Sequence, residues 1–206
     1  MECEQCYIMC GMFDSARNFN GDISGWNVSK VVEMSFMFRD ARSFTGDISG
    51  WDVSNVYNMS WMFYDTRIFH SDISKWNVSK VKNMAFMFGN NTTFDSDLSN
   101  WNVSNVTRMN GMFSNLAKFN CDLSRWNVSN VTDMSNMFAL AKSFNGDISS
   151  WDVSKVTDMH KMFYGAKNFD INISMWNVSN ATMTESMFKQ CPILEEYKPK
   201  RAHSNP

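Results

Sequence analysis

The 206-residue chain contains only 9 Gly, 3 Pro and 3 His, and 19 Lys+Arg against 21 Asp+Glu leave a formal net charge of -2. That near balance excludes a strongly basic nucleic-acid binder and a polyacidic tail protein. No apolar run approaches the roughly 18–20 residues that cross a bilayer, so no membrane span is expected. The opening MECEQCYIMCGMF lacks the basic and apolar stretches of a secretory signal, which points to an intracellular chain or a fragment of something longer. Five cysteines, an odd and sparse set, argue against a closed disulfide framework. His70, His160 and His203 stand in unrelated phases of the chain, no nucleophile is placed beside a base, and no glycine loop could cradle a phosphate. The expectation is therefore a protein that is not an enzyme and holds no cofactor or metal.

In place of these residues stand 18 Met, 17 Phe and 8 Trp. Their placement explains the excess. Trp26, Trp51, Trp76, Trp101, Trp126, Trp151 and Trp176 are spaced by 25 residues, and Met-Phe pairs recur in register from Met12-Phe13 to Met187-Phe188. A unit reads D-[IL]-S-x-W-[ND]-V-S-[KN]-V-x-x-M-x-x-M-F-x-x-A-x-x-F, as in residues 122–144. Fixed periods of 20–50 residues mark repeat architectures whose units bury a face only by stacking. One array over 1–195 is expected, with a part-unit over 1–21 and units starting at 22, 47, 72, 97, 122, 147 and 172. The prolines all lie in the last fifteen residues or so, and residues 196–206 are expected as a disordered tail.

Two periodicities alternate within a unit. Ile148, Trp151 and Val153 read as a short strand, while Val156, Met159, Met162, Phe163, Ala166 and Phe169 fall on one face of a helix. Ser154 and its counterparts stand where a helix N-cap belongs. The fold class predicted is an α/β repeat solenoid, right-handed, with one short parallel strand and one helix per unit.

The pattern W-[ND]-V-S-x-V-x-x-M-x-x-M-F-x-x-A-x-x-F closely resembles the repeat of bacterial surface proteins and mycoplasma lipoproteins grouped with BspA-like leucine-rich repeats. Met187-Phe188, Cys191 and Leu194 also keep a spacing found in the related BspA pattern. The resemblance covers nearly the whole chain. It implies a leucine-rich-repeat-like solenoid used for adhesion or protein binding, and a place at the cell surface or outside the cell.

Candidate binding residues lie in columns that vary. The column Gly11, Phe36, Trp61, Phe86, Gly111, Asn136, Lys161, Ser186 is opposite the Met and Phe face on a helical wheel, so Phe36, Trp61 and Phe86 are expected as an exposed aromatic patch with Tyr57 and Tyr64 beside them. A second variable column, on the expected concave face, includes Lys75, Asn100 and Arg125. The partner expected is another protein or a second copy of the chain, not nucleic acid. The N-V-S sequences of the Asn27 column would accept glycan if the chain were exported. Cys3, Cys6 and Cys10 have metal-like spacing, but no His is near and a fourth ligand is missing, so replacement of core residues is preferred. The carboxylates of Asp22, Asp47, Asp72, Asp97, Asp122 and Asp147 repel one another if stacked and need turn amides or a cation; Asn172 in the same column favours turn amides. The expected function is non-enzymatic protein binding or adhesion, with a structural, self-assembling repeat protein as the alternative.

Overall fold

A computed structural model describes residues 8–200. The backbone amides explain its architecture. In one coil the N–H groups of Met34, Phe36, Phe38 and Asp40 donate to the carbonyls of Asn58, Ser60, Met62 and Tyr64 in the next coil, at 3.0, 2.9, 2.9 and 2.8 Å. The amides between them turn back: Met37, Arg39 and Ala41 donate to the carbonyls of Met34, Phe36 and Phe38, three residues earlier. Alternate amides thus serve the neighbouring coil and the local turn. The same scheme recurs at 25-residue intervals, and single parallel bridges link Ile8, Glu33, Asn58, Asn83, Arg108, Asp133, Asp158 and Met183 in order. The molecule is a stack of 25-residue coils made of turns.

This overturns the expected strand-plus-helix unit and with it the leucine-rich-repeat-like α/β fold class. Among the described residues there is no α-helix, and no strand is longer than one bridge; the single regular element is a 3-10 helix, Glu195–Tyr197. The apolar spacing misled because a series of three-residue turns brings Met34, Met37, Phe38 and Ala41 inward much as a helix face would. Stacking decides the matter. Successive rings in the Phe13-to-Phe188 column have centroids 5.4–6.2 Å apart. Packed helices need about 8–10 Å between axes.

The expected strand fails for a related reason. Trp151 N–H donates to Ile148 O at 3.2 Å, and the side chains of Asp147 and Asp152 accept from the N–H groups of Ser149 and Ser154 at 2.9 and 3.0 Å. Short polar side chains that capture an amide two residues on compete with a sheet ladder. Ser154 therefore caps no helix; its N–H is itself captured.

The core is a set of columns. Phe38, Phe44, Met34, Met37, Ile48 and Val56 are wholly buried, with Trp51 beside them. Within a coil Phe38 stacks on Phe44 at 4.2 Å, and the Phe19-to-Phe169 column continues between coils at 5.9–6.4 Å. Each buried indole finds an acceptor: Trp51, Trp76, Trp101, Trp126, Trp151 and Trp176 donate to the carbonyl of the Ile or Leu 28 residues earlier, at 3.0–3.2 Å. Burial of a Trp without that bond would cost its N–H a lost partner.

The expected tail begins in ordered structure. Residues 195–197 form the 3-10 helix, and Tyr197 O accepts from Ile173 N–H at 2.9 Å. Cys3 and Cys6 lie outside the described residues.

Candidate functional site

The variable column that begins at Gly11 is half-buried, not freely exposed as expected, and Gly111 within it is buried. Its residues sit at the left-handed apex of a turn: Gly11, Phe36, Trp61, Phe86, Gly111, Asn136, Lys161 and Ser186 have φ between 54° and 64°. No β-branched residue occupies the column, as that conformation requires. A second left-handed position follows four residues later, at Ser15, Asp40, Asp65, Asn90, Asn115, Leu140, Gly165 and Gln190.

Phe36, Trp61 and Phe86 form a continuous stack along the coils. Phe36 and Trp61 are 6.1 Å apart and nearly parallel, and Trp61 and Phe86 are 4.3 Å apart. Tyr64 packs against Trp61 at 4.6 Å and meets Phe86 edge-on at 6.2 Å. The stack is closed at both ends. The Arg39 guanidinium lies 4.9 Å from the Phe36 centroid, and its forked bonds to Asp14, at 2.8 and 2.6 Å, hold it there. At the other end Phe86 leans over Gly111, where an added Cβ would come within 2.2 Å of the ring. These rings are half-buried. Tyr57 is 47% exposed and stands apart from the stack. Beyond Phe86 lies a recess of about 320 Å³ lined by uncharged groups, among them Asn115, Asn136 and Leu140.

The second candidate column is exposed throughout at Lys75, Asn100 and Arg125. Asn100 and Arg125 share a shallow recess of about 270 Å³ with Asn102 and Asn127. Lys75 does not line it.

The carboxylate columns are engaged in the turns themselves. Asp22, Asp47, Asp72, Asp97, Asp122 and Asp147, and Asn172 in the last coil, each accept the N–H of the Ser two residues on, at 2.9–3.0 Å. Hydrogen bonds from that Ser hold the carboxyls of Asp22, Asp47, Asp72, Asp97 and Asp122 below the ordinary carboxylate range. The Asn27 column behaves alike, through Asn27, Asp52, Asn77, Asn102, Asn127, Asp152 and Asn177 at 3.0–3.2 Å. Among the described residues no group of three or more His, Cys, Asp or Glu side chains is arranged to hold a metal ion. Cys10 is exposed and 3.2 Å from Ser35 Oγ, and burial pushes the Cys121 thiol up to about 11.

One feature escaped the sequence reading. Arg17, Asp40, Arg42, Asp65 and Arg67 form an alternating ion-pair ladder with N–O distances of 2.5–2.9 Å. Its signal, opposite charges 23 residues apart, is visible only once the coil path is known.

Residues 2–101 and 82–198 match the family model described as "Mycoplasma protein of unknown function, DUF285". The chain belongs to this family. The resemblance to mycoplasma repeat proteins is met at that level; the match does not extend to the BspA-like grouping. No curated protein and no solved structure matches the chain. Among the described residues no helix is long and apolar enough to cross a membrane.

Proposed function

We propose that this repeat protein is a non-enzymatic protein-binding or adhesion module, and that the half-buried column Phe36, Trp61, Phe86 with Tyr64 and Arg39 is its binding surface. The observation that carries this reading is the interruption of an otherwise polar or glycine column by three consecutive aromatic residues, held at turn apices and fixed in place by mutual stacking. Rigid aromatic and Arg groups at a partly exposed patch are the residue types that dominate binding energy in protein interfaces. The abundant polar side chains support the absence of catalysis, because the Asp and Asn columns are committed to their own turns. A BspA-like role at a cell surface is the family-level version of the same proposal and rests on the W-[ND]-V-S…M-F motif.

The test is capture of partners from native cell extract by the wild-type chain and by Phe36→Ser/Trp61→Ser/Phe86→Ser. Loss of captured protein with an unchanged circular dichroism spectrum is expected. Equal capture by the folded variant removes the column from the binding surface.

A further inference from the structure

The two ends of the coil stack differ, although they are built from the same columns. In the first described coil Met12 is 49% and Trp26 37% exposed; their counterparts in the last, Met187 and Trp176, are 6% and 3% exposed. Residues 192–200 pack on the last coil. Ile193 is buried, Tyr197 packs against the core with its carbonyl bonded to Ile173 N–H, and Lys198 Nζ lies 5.5 Å from the Phe188 ring centroid. Phe188 already stacks on Phe163, at 5.7 Å. The lysine therefore occupies the place where the column would receive its next ring.

Beneath this segment the ladder is unfinished. Interior N–H groups of the column from Gly11 all point to the following coil, so the last coil shows a row of donors and the first a row of acceptors. Among the described residues, nothing accepts from the N–H of Ser186, Phe188 or Gln190, and nothing donates to the carbonyls of Cys10, Met12 or Asp14. The rows match in register: Lys161, Phe163 and Gly165 donate to residues 24 further on, and the same step from Ser186, Phe188 and Gln190, counted in whole repeats, reaches Cys10, Met12 and Asp14. Side chains match as well. Met187 would meet Met12 and Phe188 would meet Phe13, while Lys189 would stand beside Asp14 as Arg39 does from the other side. An ordinary β-strand edge presents donors and acceptors alternately and does not complement a row of donors alone; a coil of this repeat does.

We propose that the ends of the stack are complementary docking surfaces for a second copy of this chain, and that residues 192–200 act as a stop that keeps the C-terminal end closed. Capping by atypical terminal segments is what prevents open-ended growth in stacked repeats. The inference is independent of the aromatic column.

Light scattering on the full chain tests it. The wild type is expected at the mass of one chain, and Ile193→Asp, which dislodges the segment, at a mass that rises with concentration to two chains or more. Adding Met12→Asp and Trp26→Asp to the released chain should restore the single-chain mass. A folded Ile193→Asp chain that stays single, or association that the added carboxylates do not reverse, overturns the proposal. Should Ile193→Asp unfold the last coil, Tyr197→Ser/Lys198→Ser releases the segment without burying a charge and is read in the same way. Wild-type hydrogen exchange gives a reading without substitution: Ser186, Phe188 and Gln190 amides should exchange at rates independent of concentration, and protection that grows with concentration means that the segment is no stop.

Discussion

Asn91 is the residue at which the repeat is least at ease. It stands in the column of Ala41, Thr66, Leu116, Ala141 and Ala166, is fully buried, and neither its Nδ2 nor its Oδ1 has a hydrogen-bond partner. Thr66 solves the same problem with a 2.7 Å bond from Oγ1 to Phe38 O. An unpaired buried polar group costs about 1–3 kcal/mol. Asn91→Leu, which copies Leu116 and keeps the branching and the number of side-chain heavy atoms, should therefore raise stability by about 1 kcal/mol or more; a lower melting temperature for the variant contradicts this. The left-handed apices carry the opposite lesson. Phe36, Trp61 and Phe86 were legible in the sequence as out-of-column aromatics, but their φ values and the glycine under Phe86 follow from the turn path. A helical wheel made these rings an exposed patch; the turn path leaves them half-buried.

At the scale of the element, the unit is a succession of turns closed by short side chains. Asp72, Asp97 and Asp122 hold the N–H of Ser74, Ser99 and Ser124, and those bonds depress their carboxyls. The folded state thus prefers the ionised form more than the unfolded chain does. Its contribution is complete above the ordinary carboxylate range and is lost as pH falls through the depressed folded values. Asp72→Asn/Asp97→Asn/Asp122→Asn keeps the turn acceptor, as Asn172 does naturally, and removes the titration. Denaturant titrations at several pH values should show near wild-type stability at pH 7 with a shallower loss in acid; an unchanged acid profile rules out these carboxylates as its source. That turn amides bond this column was readable from Asn172, whose side chain accepts the same amide as the Asp side chains do. The helix and strand were misread because spacing reports which residues turn inward and is silent on where the amides bond.

For the whole molecule, every coil leans only on its neighbours, so stability should fall toward an open end. Met9, Gly11 and Phe13 donate to the second coil but have no coil before them among the described residues, whereas Met109, Gly111 and Phe113 lie in the interior of the stack. Native-state hydrogen exchange is expected to be faster at the first three amides than at the second three. Equal rates in both groups would show a single all-or-none unit. The Arg17–Asp40–Arg42–Asp65–Arg67 ladder spans the first three coils and adds a salt-sensitive tie there, worth little per exposed pair.

By itself the sequence determined the 25-residue period and the identity of the core columns, because apolar burial and repetition are written in residue type and spacing. The tertiary structure decided what those residues form. Rings stacked at about 6 Å leave no room for adjacent helices, alternate amides must then reach across coils, and the side chains of Asp and Asn take the amides that remain. The bonds between coils, 24 residues apart, are not local enough to be read from one repeat.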